Sequence, residues 1–439
     1  MMTANATTAG SANATPHGWR WAPAWVLAFV ALWPAPGIAE GVMVLGALLA
    51  IVKLLLSRFR DGASLLSGPA WALTTVLFAA YWLPQPVSAL DALQPAQALR
   101  KSVEGLRYLP FLWLVAMAVA DARGRRITFC GLAVIAGVWT LDALAQAAFG
   151  TSPLFWGLEQ LKWAISGRSL CPADNLLAAD RINGVFGACN PKLGQVLASL
   201  SPFALYAAGR RLGGFGWCAA AAAVGLVVLL SGARAAWITY ALVLLFSGWR
   251  LLGWKRLLLV FAFGAVALGG LTLSMPQMRE RIERTGLVLA ANGQGVDQAL
   301  SGRTRIWGAA VCMAREHPVN GVGIRDFREA FPACDPQPGA KAAWGDGPAF
   351  HAHQIVLEIL SETGAIGLLL WLAGAALAWR AWRYASEKAR ERARPAMLAL
   401  AVTVFPLNTH LAFYSTFWGG VALLLAALYA GSLLARDDG

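Results

Sequence analysis

The chain has 439 residues, of which 58% are hydrophobic and only 13% are charged, and it contains 20 Trp. This composition supplies too little polar surface for a water-soluble globule of that length, so it predicts a polytopic membrane protein. The formal net charge of +13 does not indicate a nucleic-acid partner, because many basic residues fall in short clusters between apolar segments, where they set membrane orientation.

Apolar runs of about 17–22 residues divide the chain into about twelve predicted transmembrane helices, so the predicted fold is all-α. Their approximate centres lie at residues 28, 47, 76, 113, 138, 200, 222, 242, 264, 365, 404 and 425. The predicted organisation is a disordered cytoplasmic tail at 1–18, transmembrane helices 1–9 at 19–274, a long outer loop carrying short helices at 275–352, and transmembrane helices 10–12 at 353–435.

The connections between the predicted spans indicate their orientation. Every even-numbered connection is short and basic, from Arg58 and Arg60 to the cluster at 380–394. The odd-numbered connections include the three long ones, at about 84–106, 150–190 and 275–352, and long segments translocate largely regardless of charge. We therefore expect the long connections outside. Residues 20–40 also fit a signal peptide, whose cleavage would leave the orientation of the other spans unchanged.

The six cysteines fit this topology. Four fall in the outer loops, where disulfides persist, and allow three complete pairings. Of these, Cys171 with Cys189 closes the shortest loop. No CxxC motif is present, and the histidines lack metal-site spacing with these cysteines, so zinc is not expected.

Two helical patterns are predicted inside the loop 275–352. MPQMRERIERTGLVLA has the pattern of an interfacial helix. In SGRTRIWGAAVCMAREHP, Ser301 is the expected N-cap and Pro318 ends the helix. Arg303 falls in the first turn, where the helix dipole disfavours a cation. Either the guanidinium and the free N–H groups bind one anion, or Arg303 points into water.

Three further basic residues lie where apolar runs meet the outer loops. Arg234, in LLSGARAAW, is at the junction of two apolar runs, and a charge so close to hydrocarbon must snorkel, be paired or bind an anion. Arg181, in RINGVFGACNPKLG, has the same alternatives, and Lys192 follows closely. All three are candidates for anion binding.

HAHQIVLEILSETGAIG, at 351–367, places two histidines directly before an apolar run. If both were helical, His351 and His353 would point about 200° apart, so only one would share a face with the core. A lone histidine at the boundary between water and membrane more often forms a structural hydrogen bond than it takes part in catalysis. Here three arginines lie in the same outer layer, and a histidine titrates near neutral pH, so this combination favours a catalytic base. Glu358 and Glu362 occupy a different face, where they pair with arginines or hold predicted helix 10 in register.

Five segments together resemble the O-antigen ligase and polymerase superfamily, and they cover about 181–237 and 301–367. They are RINGVFGACNP, LLSGARAAW, SGRTRIW, EHPVNGVGIRDF and HAHQIVLEILSETGAIG. The resemblance implies a GT-C-like membrane glycosyltransferase of the bacterial inner membrane that takes glycan from an undecaprenyl-pyrophosphate carrier on the periplasmic face. The ligase passes this glycan to the lipid A–core oligosaccharide, so membrane lipids, donor and acceptor are the implied partners.

The resemblance assigns the essential histidine to His353 and the essential arginines to Arg234, Arg303 and Arg181, with His351 as a secondary candidate. Arginine donors stabilise a departing pyrophosphate without a metal, while histidine acts as general base for an acceptor hydroxyl. The outer loops contain no DxD-like pair for Mg²⁺, so no metal or cofactor is expected. A single displacement would invert the anomeric centre.

Two departures leave the subfamily open: Gln354 stands where Asn is usual, and Ala233 stands where Ser precedes the arginine. A polymerase would join repeat units, and a protein O-oligosaccharyltransferase would modify Ser or Thr. The short carboxy-terminal region favours ligase. A secondary transporter is the alternative from another class, but no internal repeat is evident, and Lys53 and Asp142 are nearly the only charges at span centres. Lys192 remains a secondary candidate for binding.

Overall fold

The computed structural model describes residues 19–59, 64–172, 181–274, 276–286, 300–345, 347–409 and 412–435, and the predicted tail at 1–18 lies outside them. The described chain is all-α and contains no strand. Its helices are α1 (Ala22–Ala31), α2 (Pro36–Phe59), α3 (Gly68–Trp82), α4 (Pro84–Ser88), α5 (Pro95–Gly105), α6 (Tyr108–Met117), α7 (Ala122–Phe149), α8 (Pro153–Ser166), α9 (Leu193–Leu230), α10 (Arg234–Leu252), α11 (Trp254–Ser274), α12 (Pro276–Gly286), α13 (Arg303–Glu316), α14 (Phe327–Cys334), α15 (Ile355–Tyr384), α16 (Glu387–Thr403) and α17 (Thr416–Leu433).

Within the described ranges, seven helices are long and apolar enough to cross a membrane: α2, α7, α9, α10, α11, α15 and α17. The prediction of an all-α polytopic membrane protein is confirmed. The 38 residues of α9 include a reversal at Gly213, whose φ of 62° suits glycine. A Cβ on Gly194 would collide with Ser231, so the two halves run antiparallel and correspond to two predicted spans. The count of about twelve is not confirmed, because α1, α3, α6 and α16 have only 10–17 residues.

The span predicted near residue 404 is misplaced. The charged stretch before it is helical: the Ser386 hydroxyl accepts the N–H of Ala389 (3.2 Å) and caps the start of α16. The helix then ends at Thr403. Residue 405 precedes Pro406, which disfavours helical backbone there. The span was predicted from apolar composition on both sides of residue 404, but the described residues 404–409 are not helical.

The core of the bundle surrounds α17, which packs against α16, α6 and α3. Every residue of α17 from Trp418 to Leu433 is buried, as expected for a helix that is apolar on all sides. In contrast, Leu257 is the one buried residue described in α11, which lies at the periphery. Residues 404–409, which lie between α16 and α17 in the chain, contribute to the candidate site.

The short basic connections meet at one end of the bundle, here called the basic end. There the Arg392 guanidinium donates to the carbonyl of Ser432 (2.8 Å), and the Ser67 hydroxyl donates to the carbonyl of Leu434 (2.8 Å). Arg250 also lies at this end, with its guanidinium 3.6 Å from the Glu391 carboxylate.

The long connections meet at the opposite end, here called the site end. The N–H of Leu93 donates to the carbonyl of Val322 (3.3 Å), so two of these connections are in contact. Both disulfides also lie in these connections and join Cys171 to Cys189 and Cys312 to Cys334. This is one of the three pairings that the sequence allowed.

Candidate active site

Two arginines begin two helices at the site end. Arg234 is the first residue of α10, and Arg303 is the first residue of α13. Neither N-cap residue, Ala233 nor Gly302, caps its helix with a side chain. The first N–H groups of a helix carry partial positive charge, so each helix start adds to the charge of its own arginine.

A direct hydrogen bond brings the two helix starts together. The Nη2 of Arg234 donates to the Oγ of Ser301 (2.8 Å), two residues before α13 begins at Arg303. Burial and the neighbouring positive charge of Arg234 lower the pKa of Arg303 to about 10. The prediction that Ser301 is the N-cap is wrong: Gly302, with a φ of 76°, takes that position, and Ser301 instead accepts from Arg234.

Arg181 lies in a segment, 181–186, that is fixed against α7 and α9. The side-chain oxygen of Gln146 in α7 accepts two N–H groups of this segment (3.1 and 2.7 Å). The N–H of Ile182 donates to the carbonyl of Leu230, the last residue of α9 (3.5 Å). The backbone of Arg181 therefore lies beside the turn that leads into α10.

Lys192 lies directly before α9, at the same end of the bundle. Its ammonium is 4.3 Å from the centre of the Phe417 ring, a distance that allows a cation–π interaction. Burial lowers the pKa of Lys192. Two residues later, Gly194 is in close contact with Ser231, so Lys192 also begins near the turn between α9 and α10.

His351 and His353 lie side by side before α15, with their ring centroids 3.9 Å apart. The condition under which they would point about 200° apart, a helical backbone at both residues, is not met, because α15 begins only at Ile355. His353 has a φ of 52°, a left-handed backbone that few non-glycine residues adopt. Ala352 between them is fully buried in the cluster that contains Ile306 of α13, so the histidine pair flanks a contact with that helix.

The loop after α16 connects the histidine segment with Arg303. Gln354 caps α15, since its Oε1 accepts the N–H of Leu357 (2.6 Å), and its Nε2 donates to the carbonyl of Pro406 (2.7 Å). Three residues further on, the Oγ1 of Thr409 accepts from Nη1 of Arg303 (3.0 Å). Thr409 was missed by the sequence reasoning, because it belongs to none of the five segments.

The segments EHPVNGVGIRDF and ETGAIG pair through their backbones. Helix α15 breaks at Gly364, and a Cβ there or on Gly321 would overlap the backbone of the other segment. Four N–H groups donate across this contact: Val322 to Ser361 (2.8 Å), Gly323 to Glu362 (3.2 Å), Ala365 to Pro318 (2.9 Å) and Ile366 to Val319 (3.1 Å). The two glycines permit the close approach that fixes the loop over α15.

The buried glutamates of α15 bind backbone N–H groups of two loops. The Glu362 carboxylate accepts the N–H of Arg325 (2.8 Å), and the Glu358 carboxylate accepts the N–H of Tyr414 (3.1 Å). Each of these side chains is 1% exposed. They hold the loops before α14 and α17 against α15, which agrees with the expectation that they keep this helix in register.

Arg305, the other arginine of SGRTRIW, is buried in the loop region instead. Its guanidinium donates twice to the Asp335 carboxylate (2.7 and 2.5 Å) and once to the carbonyl of Ala340 (3.0 Å). The hydrogen bond from Arg305 lowers the pKa of Asp335. Arg305 is therefore neutralised by a carboxylate, whereas Arg303 has a neutral hydroxyl acceptor in Thr409.

One cluster of metal-ligand types occurs in the described chain, formed by Cys312, Glu316 and Cys334. The two sulfurs are joined as a disulfide. Because thiolates are the ligands that zinc binds, this cluster does not form a zinc site.

Residues 219–372 match the family model described as O-antigen ligase. This segment is an O-antigen ligase family domain. It contains Arg234, Arg303 and His353, while Arg181 and Thr409 lie outside it. The resemblance to this family is confirmed, and the family is one of membrane glycosyltransferases. A search of curated proteins found no match.

Proposed function

We propose that the protein transfers glycan from undecaprenyl pyrophosphate to lipid A–core oligosaccharide on the periplasmic face of the bacterial inner membrane, without a metal or cofactor. The observation that carries this proposal is the contact between the starts of α10 and α13. This contact places Arg234 close to the start of the helix that carries Arg303. Arg303 in turn contacts residues 404–409, which also bind Gln354, the neighbour of His353.

The arginines are proposed to bind the donor diphosphate. Two guanidinium groups at neighbouring helix starts repel each other unless an anion lies between them. Burial is the larger cause of the lowered pKa of Arg303, and the repulsion from Arg234 adds to it. Planar guanidinium groups bind phosphate oxygens in a bidentate manner. Arg181 and Lys192 add positive charge near the same turn and are proposed as further ligands.

His353 is proposed as the general base, with His351 supporting its ring. Its imidazole accepts the proton of an acceptor hydroxyl while that oxygen forms a bond to the anomeric carbon. The bond from this carbon to the diphosphate breaks, and the arginines stabilise the charge of the departing diphosphate. A single displacement of this kind inverts the anomeric centre. The left-handed backbone of His353 supports a functional role, because strained residues cluster at active sites.

The orientation follows from the two ends of the bundle. The basic end fits the cytoplasmic side, since cytoplasmic connections are enriched in Lys and Arg. The site end carries both disulfides, which persist in the periplasm. We therefore assign 275–352 to a periplasmic loop, and 19–274 and 353–435 to the membrane part.

Reconstitution with defined acceptors tests this function. Purified protein in nanodiscs receives lipid-linked glycan together with lipid A–core, a second lipid-linked glycan or a Ser/Thr peptide, and the labelled product is identified. Transfer to lipid A–core by the wild type, with loss in His353→Ala, is the expected result. A product formed only with the second lipid-linked glycan or the peptide would assign the protein to polymerases or protein oligosaccharyltransferases. Glycan movement across liposomes without transfer would indicate a transporter.

A further inference from the structure

We infer that residues 404–409, which follow α16, are part of the active site and that Thr409 is a positioning residue, which orients the Arg303 guanidinium toward the donor diphosphate. The inference rests on the proposed role of Arg303. Thr409 lies outside the matched segment 219–372 and outside the five sequence segments, so neither the family match nor the motifs assign it a role.

The hydrogen bond between these residues fixes the plane of the guanidinium. Nη1 of Arg303 donates to Oγ1 of Thr409 (3.0 Å), and both side chains are half-buried. A guanidinium has five N–H donors in one rigid plane, so one fixed acceptor restrains the direction of the other donors. The remaining N–H groups can then meet a phosphate without further ordering.

The chemistry of the acceptor matters as much as its position. Arg305 is bound by the carboxylate of Asp335, which neutralises its charge. Thr409 offers a neutral hydroxyl, so it holds Arg303 against the repulsion of Arg234 and leaves its positive charge available. A residue that orients a cation for an incoming anion should have this property, because a carboxylate at the same place would compete with the diphosphate.

The loop itself is held on both sides of Thr409. The Asn408 side chain is buried and donates to the carbonyl of Thr403 (3.1 Å). The carbonyl of Pro406 accepts from Gln354 (2.7 Å), and the N–H of Tyr414 donates to Glu358 (3.1 Å). Two of these bonds come from the start of α15, directly after His353. The loop therefore sets the position of Arg303 relative to the histidine segment.

Binding of undecaprenyl pyrophosphate to the full-length protein in nanodiscs tests the inference. Thr409→Val keeps the shape but removes the acceptor, and we expect the dissociation constant to rise about ten-fold or more, as for a lost hydrogen bond to a charged group. Thr409→Ser should stay within about three-fold of the wild type, because it keeps the hydroxyl. Thr403→Val is the matched control: in the described chain the fully buried Thr403 hydroxyl has no hydrogen-bond partner. Thr409→Ala replaces Thr409→Val if the latter does not fold.

The same measurement in an Arg303→Ala background separates positioning from a structural effect. If Thr409 acts through Arg303, adding Thr409→Val to Arg303→Ala changes the dissociation constant by less than about two-fold. An equal loss in both backgrounds overturns the inference. Wild-type affinity in Thr409→Val together with weak binding by Arg303→Ala also overturns it, but leaves the proposed function standing. Wild-type affinity in Arg303→Ala would contradict both this inference and the proposed function, because Arg303 would then not bind the donor diphosphate.

Discussion

Replacing each arginine of SGRTRIW with alanine should separate activity from stability. The two residues are two positions apart on α13, but they have different surroundings. Arg303 meets Arg234 and the Thr409 hydroxyl at the site end. Arg305 forms a buried ion pair with Asp335, in which the side chains are 8% and 9% exposed.

The expected magnitudes follow from these contacts. Arg303→Ala removes a cation from the proposed diphosphate site, so transfer should fall by about 10²–10³-fold. It breaks one hydrogen bond but relieves a like-charge contact, so the free energy of unfolding should change by at most about 1 kcal/mol. Arg305→Ala removes the charged partner of the Asp335 carboxylate, which keeps the N–H of Gln337 (3.0 Å), and the loss of one member of a buried ion pair typically costs about 3–5 kcal/mol.

Glycan transfer and limited proteolysis of the 300–345 region measure the two effects. A loss of about 3–5 kcal/mol in local stability should raise the cleavage rate by roughly 10² to 4 × 10³-fold, where cleavage follows the open population. Cleavage of Arg303→Ala should stay close to the wild-type rate. Full transfer by Arg303→Ala would contradict the proposed role of Arg303 in binding the diphosphate. Resistance of Arg305→Ala to proteolysis equal to that of the wild type would contradict the stabilising role of its ion pair.

Two further predictions concern the histidine pair and the glycine contact. His353→Ala should abolish transfer while the protein stays in the membrane, whereas His351→Ala should cost less; equal transfer rates for wild type and His353→Ala in the reconstituted assay would remove the proposed base. Gly364→Ala should lower the thermal unfolding midpoint, because its φ is 63° and its Cβ would overlap the backbone of 319–320. Gly269→Ala in α11 is the control, since nothing lies within 4 Å of a Cβ there. An unchanged midpoint for Gly364→Ala would contradict the proposed contact.

Sequence patterns predicted the membrane class and the family because these depend on composition and on local motifs. They also pointed to Arg234 and Arg303, because a cation at a helix start or at the edge of an apolar run breaks a local rule. The backbone details were less accessible. The N-cap prediction for Ser301 failed because Gly302 adopts a left-handed backbone and moves the helix start by one residue.

Long-range contacts were outside the reach of sequence reasoning. Thr409 and Arg303 are 106 positions apart, and FPLNT has no periodicity that indicates a partner. The contact exists because α16 ends at Thr403 and the following loop returns over the start of α15. The orientation of His351 and His353 likewise depends on the left-handed backbone at His353, which no residue type in that segment requires.

The most direct measurement is a cryo-electron microscopy structure of the protein with undecaprenyl pyrophosphate bound. We expect diphosphate density within hydrogen-bond distance of the guanidinium groups of both Arg234 and Arg303, with the imidazole of His353 facing the same space. Diphosphate density at another place, or bound without either arginine, would contradict it.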